Sequence, residues 1–127
     1  MTREEHLLVI ALEECAELSQ EITKALRFGL DNHHPNTHIP NRSRISKEFI
    51  DLLAVMNILQ SEGYITQYVE EQIQIDVEAK QRKIEHWLTY SKSVGRYTYK
   101  EKVDLDNGHR EIPHVPQSDR EPLNEGG

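Results

Sequence analysis

Residues Arg44–Gly63 read RISKEFIDLLAVMNILQSEG. Placed on a helix at 100° per residue, Glu48 lies between Val55 and Leu59, and Asp51 lies between Ile58 and Val55. Phe49, Ile50, Leu52, Leu53, Ala54 and Met56 take up most of the remaining circumference. A helix that is apolar nearly all round is a buried helix. Two carboxylates inside it leave water, which is costly for an ionised group without a partner. They need basic partners, a proton or a metal. Arg44 and Lys47 are near in sequence, but Lys47 points about 100° from Glu48, away from Val55. Ser43 is the expected N-cap and Gly63 the stop.

Upstream, residues from about Thr2 to Phe28 show a second helical period. Leu7, Leu8, Ala11, Leu12, Cys15, Leu18, Ile22, Ala25 and Leu26 fall in one arc of roughly 140°. Glu13, Glu14, Glu17, Glu21 and Lys24 fall in the opposite arc. Like charges three and four residues apart repel by roughly 0.2–0.5 kcal/mol per pair, so this flank alone reads as a solvated, mildly strained face. Glu48 and Asp51 change that reading. Two antiparallel helices, each with carboxylates one turn apart, bring four acids to one point. Hard divalent ions such as Mg²⁺ or Mn²⁺ want oxygen ligands of this kind. A di-iron bundle would need Glu-x-x-His on two helices. The sequence contains this spacing at Glu111–His114, where Pro113 interrupts it.

Between the two helices, LDNHHPNTHIPNRS (30–43) has neither helical nor strand periodicity. It is a loop of about a dozen residues, a length that is uncommon unless the loop is functional or mobile. Its histidines, His33, His34 and His38, have no fixed scaffold for a transition-metal site. A third helix is expected from about Thr66 to Ser91, with Val69, Ile73, Val77, Ile84 and Leu88 as a loose apolar stripe. Trp87 is expected in the core. Beyond Tyr99 the chain is rich in Asp, Glu, Asn, Pro and Gly, the composition of a disordered tail. The expectation is an all-α fold, with residues 1–99 as the domain and 100–127 as a polar tail.

Composition narrows the function classes. The chain of 127 residues has the length of one small domain, and its formal net charge of −7 argues against holding bare nucleic acid by its phosphates. An acidic protein still handles phosphates when a divalent cation sits between the two sets of negative charge. The one cysteine, Cys15, forms no internal disulfide and fits a reducing compartment. No signal peptide or membrane span is visible, so a cytoplasmic location is expected.

The motifs EECAE (Glu13–Glu17) and EFID (Glu48–Asp51), in that order on two helices, resemble the EExxE…ExxD signature of MazG-like nucleoside triphosphate pyrophosphohydrolases. The likeness continues through SQEITKALRFGLD, NRSRISKEFIDLLAVMNIL and EAKQRKIEHWLTYSKSVGR. It covers roughly residues 5–96 and is similar to the small stand-alone members found in bacteriophages. About thirty residues separate Glu17 from Glu48, slightly more than is usual there, and the excess lies in the His- and Pro-rich loop.

The resemblance implies Mg²⁺-dependent cleavage of a nucleoside triphosphate or deoxynucleoside triphosphate between its α and β phosphates, in the host cytoplasm if phage-encoded. It implies Glu14, Glu17, Glu48 and Asp51 as Mg²⁺ ligands, with Mn²⁺ as a substitute, and Glu13 as outer ligand or water-orienting base. Lys24, Arg27, Lys80 and Lys83 are the candidate phosphate contacts; Glu21–Lys24 and Asp76–Lys80 pairs within their helices are the competing roles. No covalent nucleophile is needed, so Cys15 is read as plain core. The all-round apolar second helix, like the resemblance, asks for completion of the core in a homodimer or homotetramer. The reading from another class is a catalytically silent helical module that binds nucleotide or a host protein.

Overall fold

The computed structural model describes residues 1–98; the expected tail, 100–127, lies outside them. Three helices form in the order α1 (Arg3–Phe28), α2 (Asn41–Ser61) and α3 (Glu70–Ser93), with no strand among the described residues. The fold is all-α. The described chain divides into two units, Met1–Ile65 and a second that begins at Thr66.

In the first unit α1 and α2 run antiparallel. Arg3, opening α1, pairs with Glu62, just past α2, at 2.7 Å. At the other end the Asn41 side-chain amide donates to the Gly29 carbonyl at 2.9 Å. Between these ends Leu7 and Ala11 pack on Val55 and Leu59, with Leu52, Met56 and Ile65 against them. Leu59 is 1% exposed, and burying a leucine fully stabilises by about 1.5–3 kcal/mol.

The helix ends follow from local chemistry. Thr2 caps α1 in a reciprocal capping box with Glu5, which satisfies two orphan donors. Ser43 does not cap α2. The helix begins at Asn41, because loop carbonyls already take its first amides: Asn41 N–H donates to Asn32 at 2.8 Å and Arg42 N–H to Leu30 at 3.0 Å. Those are the groups a cap residue would otherwise serve. Gly63 ends α2 as expected, with φ +79°. Tyr64 N–H donates to the Leu59 carbonyl and Gly63 N–H to that of Gln60, the paired bonds that favour glycine here.

The loop between α1 and α2 is held by its own bonds. An isolated antiparallel bridge joins His33 to Pro40, Asp31 pairs with Arg42 at 2.6 Å, and Ile39 is buried. His34 Nδ1 accepts from the Asn36 N–H at 3.2 Å, and the His33 and His38 rings meet edge-on.

The arc reading of α1 needs correction. Against α2 lie Leu7, Ala11, Glu14, Leu18, Glu21 and Ala25, a stripe that includes two of the acids. Glu21, expected on the wet flank, is 4% exposed. Cys15, expected in the core, is exposed, as are Leu8, Leu12 and Leu26 of the same arc. α2 likewise buries one side only and leaves Phe49, Ile50, Leu53 and Ile58 exposed. Two helices have one shared seam, and here it runs along the carboxylates instead of the fully apolar arc.

The second unit contains α3. It starts at Glu70, four residues later than expected at Thr66, with Glu70 and Glu71 in its first turn, where acids complement the helix dipole. Trp87 is 54% exposed rather than core and stands edge-on between His86 and Tyr90.

Candidate metal centre

One helical turn separates Glu14 from Glu17 on α1, and α2 presents Glu48 to both. One carboxylate oxygen from each of the three lies within 4.8 Å of the others. Among the described residues this is the group of His, Cys, Asp and Glu side chains with such spacing, and no loop histidine belongs to it. The antiparallel seam brings them together: the leucine and valine contacts one and two turns away fix the helices in register.

The site is short of positive charge. Glu48 is 9% exposed. Its Oε1 accepts from the Lys47 ammonium at 3.2 Å, while its Oε2 is buried with no hydrogen-bond partner. Glu14 Oε2 is buried and unpartnered in the same way. Such atoms are rare in native proteins and ask for an explanation, an ion among them. Asp51 stands one turn along α2, with its Oδ2 at 2.6 Å from Lys47 Nζ.

Electrostatics tell the same story. Burial, followed by the charges of Asp51 and Glu48, raises the Glu14 pKa above the usual carboxylate value. Burial also raises that of Glu48, with Glu17 and Asp51 adding to the effect and the Lys47 hydrogen bond opposing it. For Lys47, burial acts to lower the pKa, but the bonds to Asp51 and Glu48 outweigh it and hold the ammonium above its ordinary value. Each raised carboxylate marks a place where added positive charge would stabilise the ionised form. Three carboxylates with two free buried oxygens suit a hard divalent ion.

The other expected residues are distributed unevenly. Glu13 is exposed beside Glu14. Lys24 bonds to Glu21 at 3.1 Å, the intrahelical role that competed with phosphate contact. The Arg27 guanidinium lies 4.9 Å from the centroid of the Phe28 ring. Lys80 and Lys83 are exposed on α3, in the second unit. Asp76, read as a partner for Lys80, accepts from Gln72 at 3.0 Å.

The residue that sequence reasoning set aside is Lys47. The 100° offset holds for its Cβ, but a four-carbon stem swings the ammonium across that angle. The signal was present in the i,i+4 spacing of Lys47 and Asp51. Arg44, also set aside, donates to Thr37 Oγ1 at 3.3 Å and ties α2 to the loop. No family model, curated protein or solved structure matches the chain.

Proposed function

We propose that this chain is a Mg²⁺-dependent nucleoside triphosphate pyrophosphohydrolase of the MazG-like kind. It hydrolyses nucleoside or deoxynucleoside triphosphates between the α and β phosphates, giving the monophosphate and pyrophosphate. The observation that carries this reading is the meeting of Glu14, Glu17 and Glu48 across the helix seam, with two buried oxygens lacking any partner. Glu14, Glu17 and Glu48 would hold a divalent ion, which would offset transition-state charge and lower the pKa of a water.

The chain's own residues divide the remaining work. Glu14, Glu17 and Glu48 hold Mg²⁺, or Mn²⁺ in its place, and Asp51 completes the acid set from the next turn of α2. Glu13, exposed beside them, is free to orient a water or take its proton. Within the first unit, Lys24 and Arg27 are the candidate contacts to phosphate charge. The exposed apolar residues of α1 and α2, Leu8, Leu12, Leu26, Phe49, Ile50 and Leu53, support association into a homodimer or homotetramer, since patches of this kind mark interaction surfaces. No described helix is long and apolar enough to cross a membrane, and an exposed free cysteine suits a reducing cytoplasm.

The test is product analysis with a panel of nucleotides. Monophosphate and pyrophosphate in equal amounts, dependent on Mg²⁺, are expected from at least one of them. Diphosphate and orthophosphate, or no turnover of any nucleotide, would overturn the reading.

A pH dependence follows from the two raised carboxylates. A folded acid with a raised pKa holds its proton more tightly than the unfolded chain does. Its contribution to metal-free stability is therefore present at low pH and lost as pH rises through the raised value. Ion binding needs the deprotonated ligands. The rise in melting temperature on adding Mg²⁺ is thus expected to be small near about pH 4.5 and to grow toward about pH 7.5. Equal increments at both would contradict the assignment of Glu14 and Glu48.

A further inference from the structure

The two oxygens of Glu48 differ in their surroundings. Oε1 accepts from Lys47 at 3.2 Å, and Oε2 is buried and unpartnered, as is Glu14 Oε2. Lys47 Nζ also reaches Asp51 Oδ2 at 2.6 Å, while Asp51 is absent from the close group that Glu14, Glu17 and Glu48 form. The acids therefore define two adjoining cation positions. One lies among Glu14, Glu17 and Glu48; the other, between Glu48 Oε1 and Asp51, is already filled by an ammonium.

We infer that Lys47 is a resident cation of this centre, so that the chain takes one divalent ion beside the lysine rather than two. The inference rests on the metal-centre reading above and assigns it a stoichiometry. Two-metal phosphoryl-transfer sites place their ions about 3.5–4 Å apart to clamp both reacting oxygens. A divalent ion brought to Glu48 and Asp51 here would meet an ammonium held at ion-pair distance and would have to displace it. A lysine is suited to the post: it is a compact point charge with three donors. Two donors hold Glu48 and Asp51, which leaves the third for a substrate oxygen or water. The side chain is only 23% exposed, which keeps the charge beside Glu48 and Asp51. Lys47 is thus a positioning residue for the two acids.

The test titrates the metal-free full chain with Mn²⁺, followed by calorimetry and electron paramagnetic resonance. Wild type is expected to saturate at about one ion per chain, with the six-line spectrum of an isolated ion. Lys47→Gln, which removes the charge, is expected to take about two, with the broadened spectrum of neighbouring ions, and Lys47→Arg to stay at about one. Two ions in wild type, or one in Lys47→Gln, would overturn the lysine assignment and leave the metal centre standing. No binding in any of the three would overturn both together. If Lys47→Gln does not fold, the wild-type count and spectrum decide by themselves.

Discussion

Glu48→Gln is expected to lower Mg²⁺-dependent pyrophosphate release by at least about 100-fold, while raising the melting temperature of the metal-free chain. The loss follows from removing a carboxylate that meets Glu14 and Glu17 within 4.8 Å and carries one buried, unpartnered oxygen; even partners of metal ligands typically cost 10–100-fold when changed. The gain follows from burial and from the charges of Glu17 and Asp51, which hold the Glu48 pKa above its ordinary value and so penalise its ionised form. A neutral amide of the same shape removes that penalty. Lys47 keeps Asp51 as a partner at 2.6 Å and is not orphaned by the change. Opposite movement of activity and stability separates a functional acid from a structural one, for which both would fall. Unchanged turnover in Glu48→Gln, measured under the conditions that saturate wild type, would remove Glu48 from the centre.

Leu59→Ala is expected to destabilise the chain by about 2–5 kcal/mol in chemical denaturation, the range for truncating a fully buried leucine. Leu59 is the most enclosed side chain of the α1–α2 seam, packed in one cluster with Leu7, Ala11 and Val55. Small domains have only about 5–15 kcal/mol in total, so the effect is a large share of the whole. The same seam sets the register of Glu14 against Glu48, and a ligand that binds only the folded state recovers stability by mass action. Mg²⁺ is therefore expected to restore part of the loss. A cost below about 1 kcal/mol would contradict the placement of the core at this leucine.

The sequence made the first two helices legible because their apolar residues are dense and their stops are chemical, Gly29 and Gly63 both having positive φ; the looser stripe of α3 left its start less well marked. The sequence also made the acid pairs legible, since one-turn spacing on two helices needs no tertiary knowledge. What it hid was orientation. The widest apolar arc of α1 was taken for its buried face, yet Leu26 is 82% exposed and Glu21 is 4% exposed. A single chain can bury only the seam its partner helix matches, and α2 matches the mixed stripe that carries Glu14 and Glu21. The part of that arc formed by Leu8, Leu12, Ile22 and Leu26 remains exposed. The start of α2 was missed because the signals for it lie in loop carbonyls at Leu30 and Asn32, which no capping residue announces. Lys47 was dismissed on the angle of its Cβ, although long flexible side chains are poorly described by that angle.

A divalent-cation site at Glu14, Glu17 and Glu48 requires that Mg²⁺ stabilise the folded chain. The most direct measurement melts the metal-free chain at about pH 7.5 with and without millimolar Mg²⁺, beside a Glu14→Gln/Glu48→Gln double variant. Wild type is expected to gain stability on Mg²⁺ addition, about 2.7 kcal/mol at a concentration 100 times the dissociation constant, and the double variant to gain none. No change in wild type, or the same gain in the variant, would contradict it.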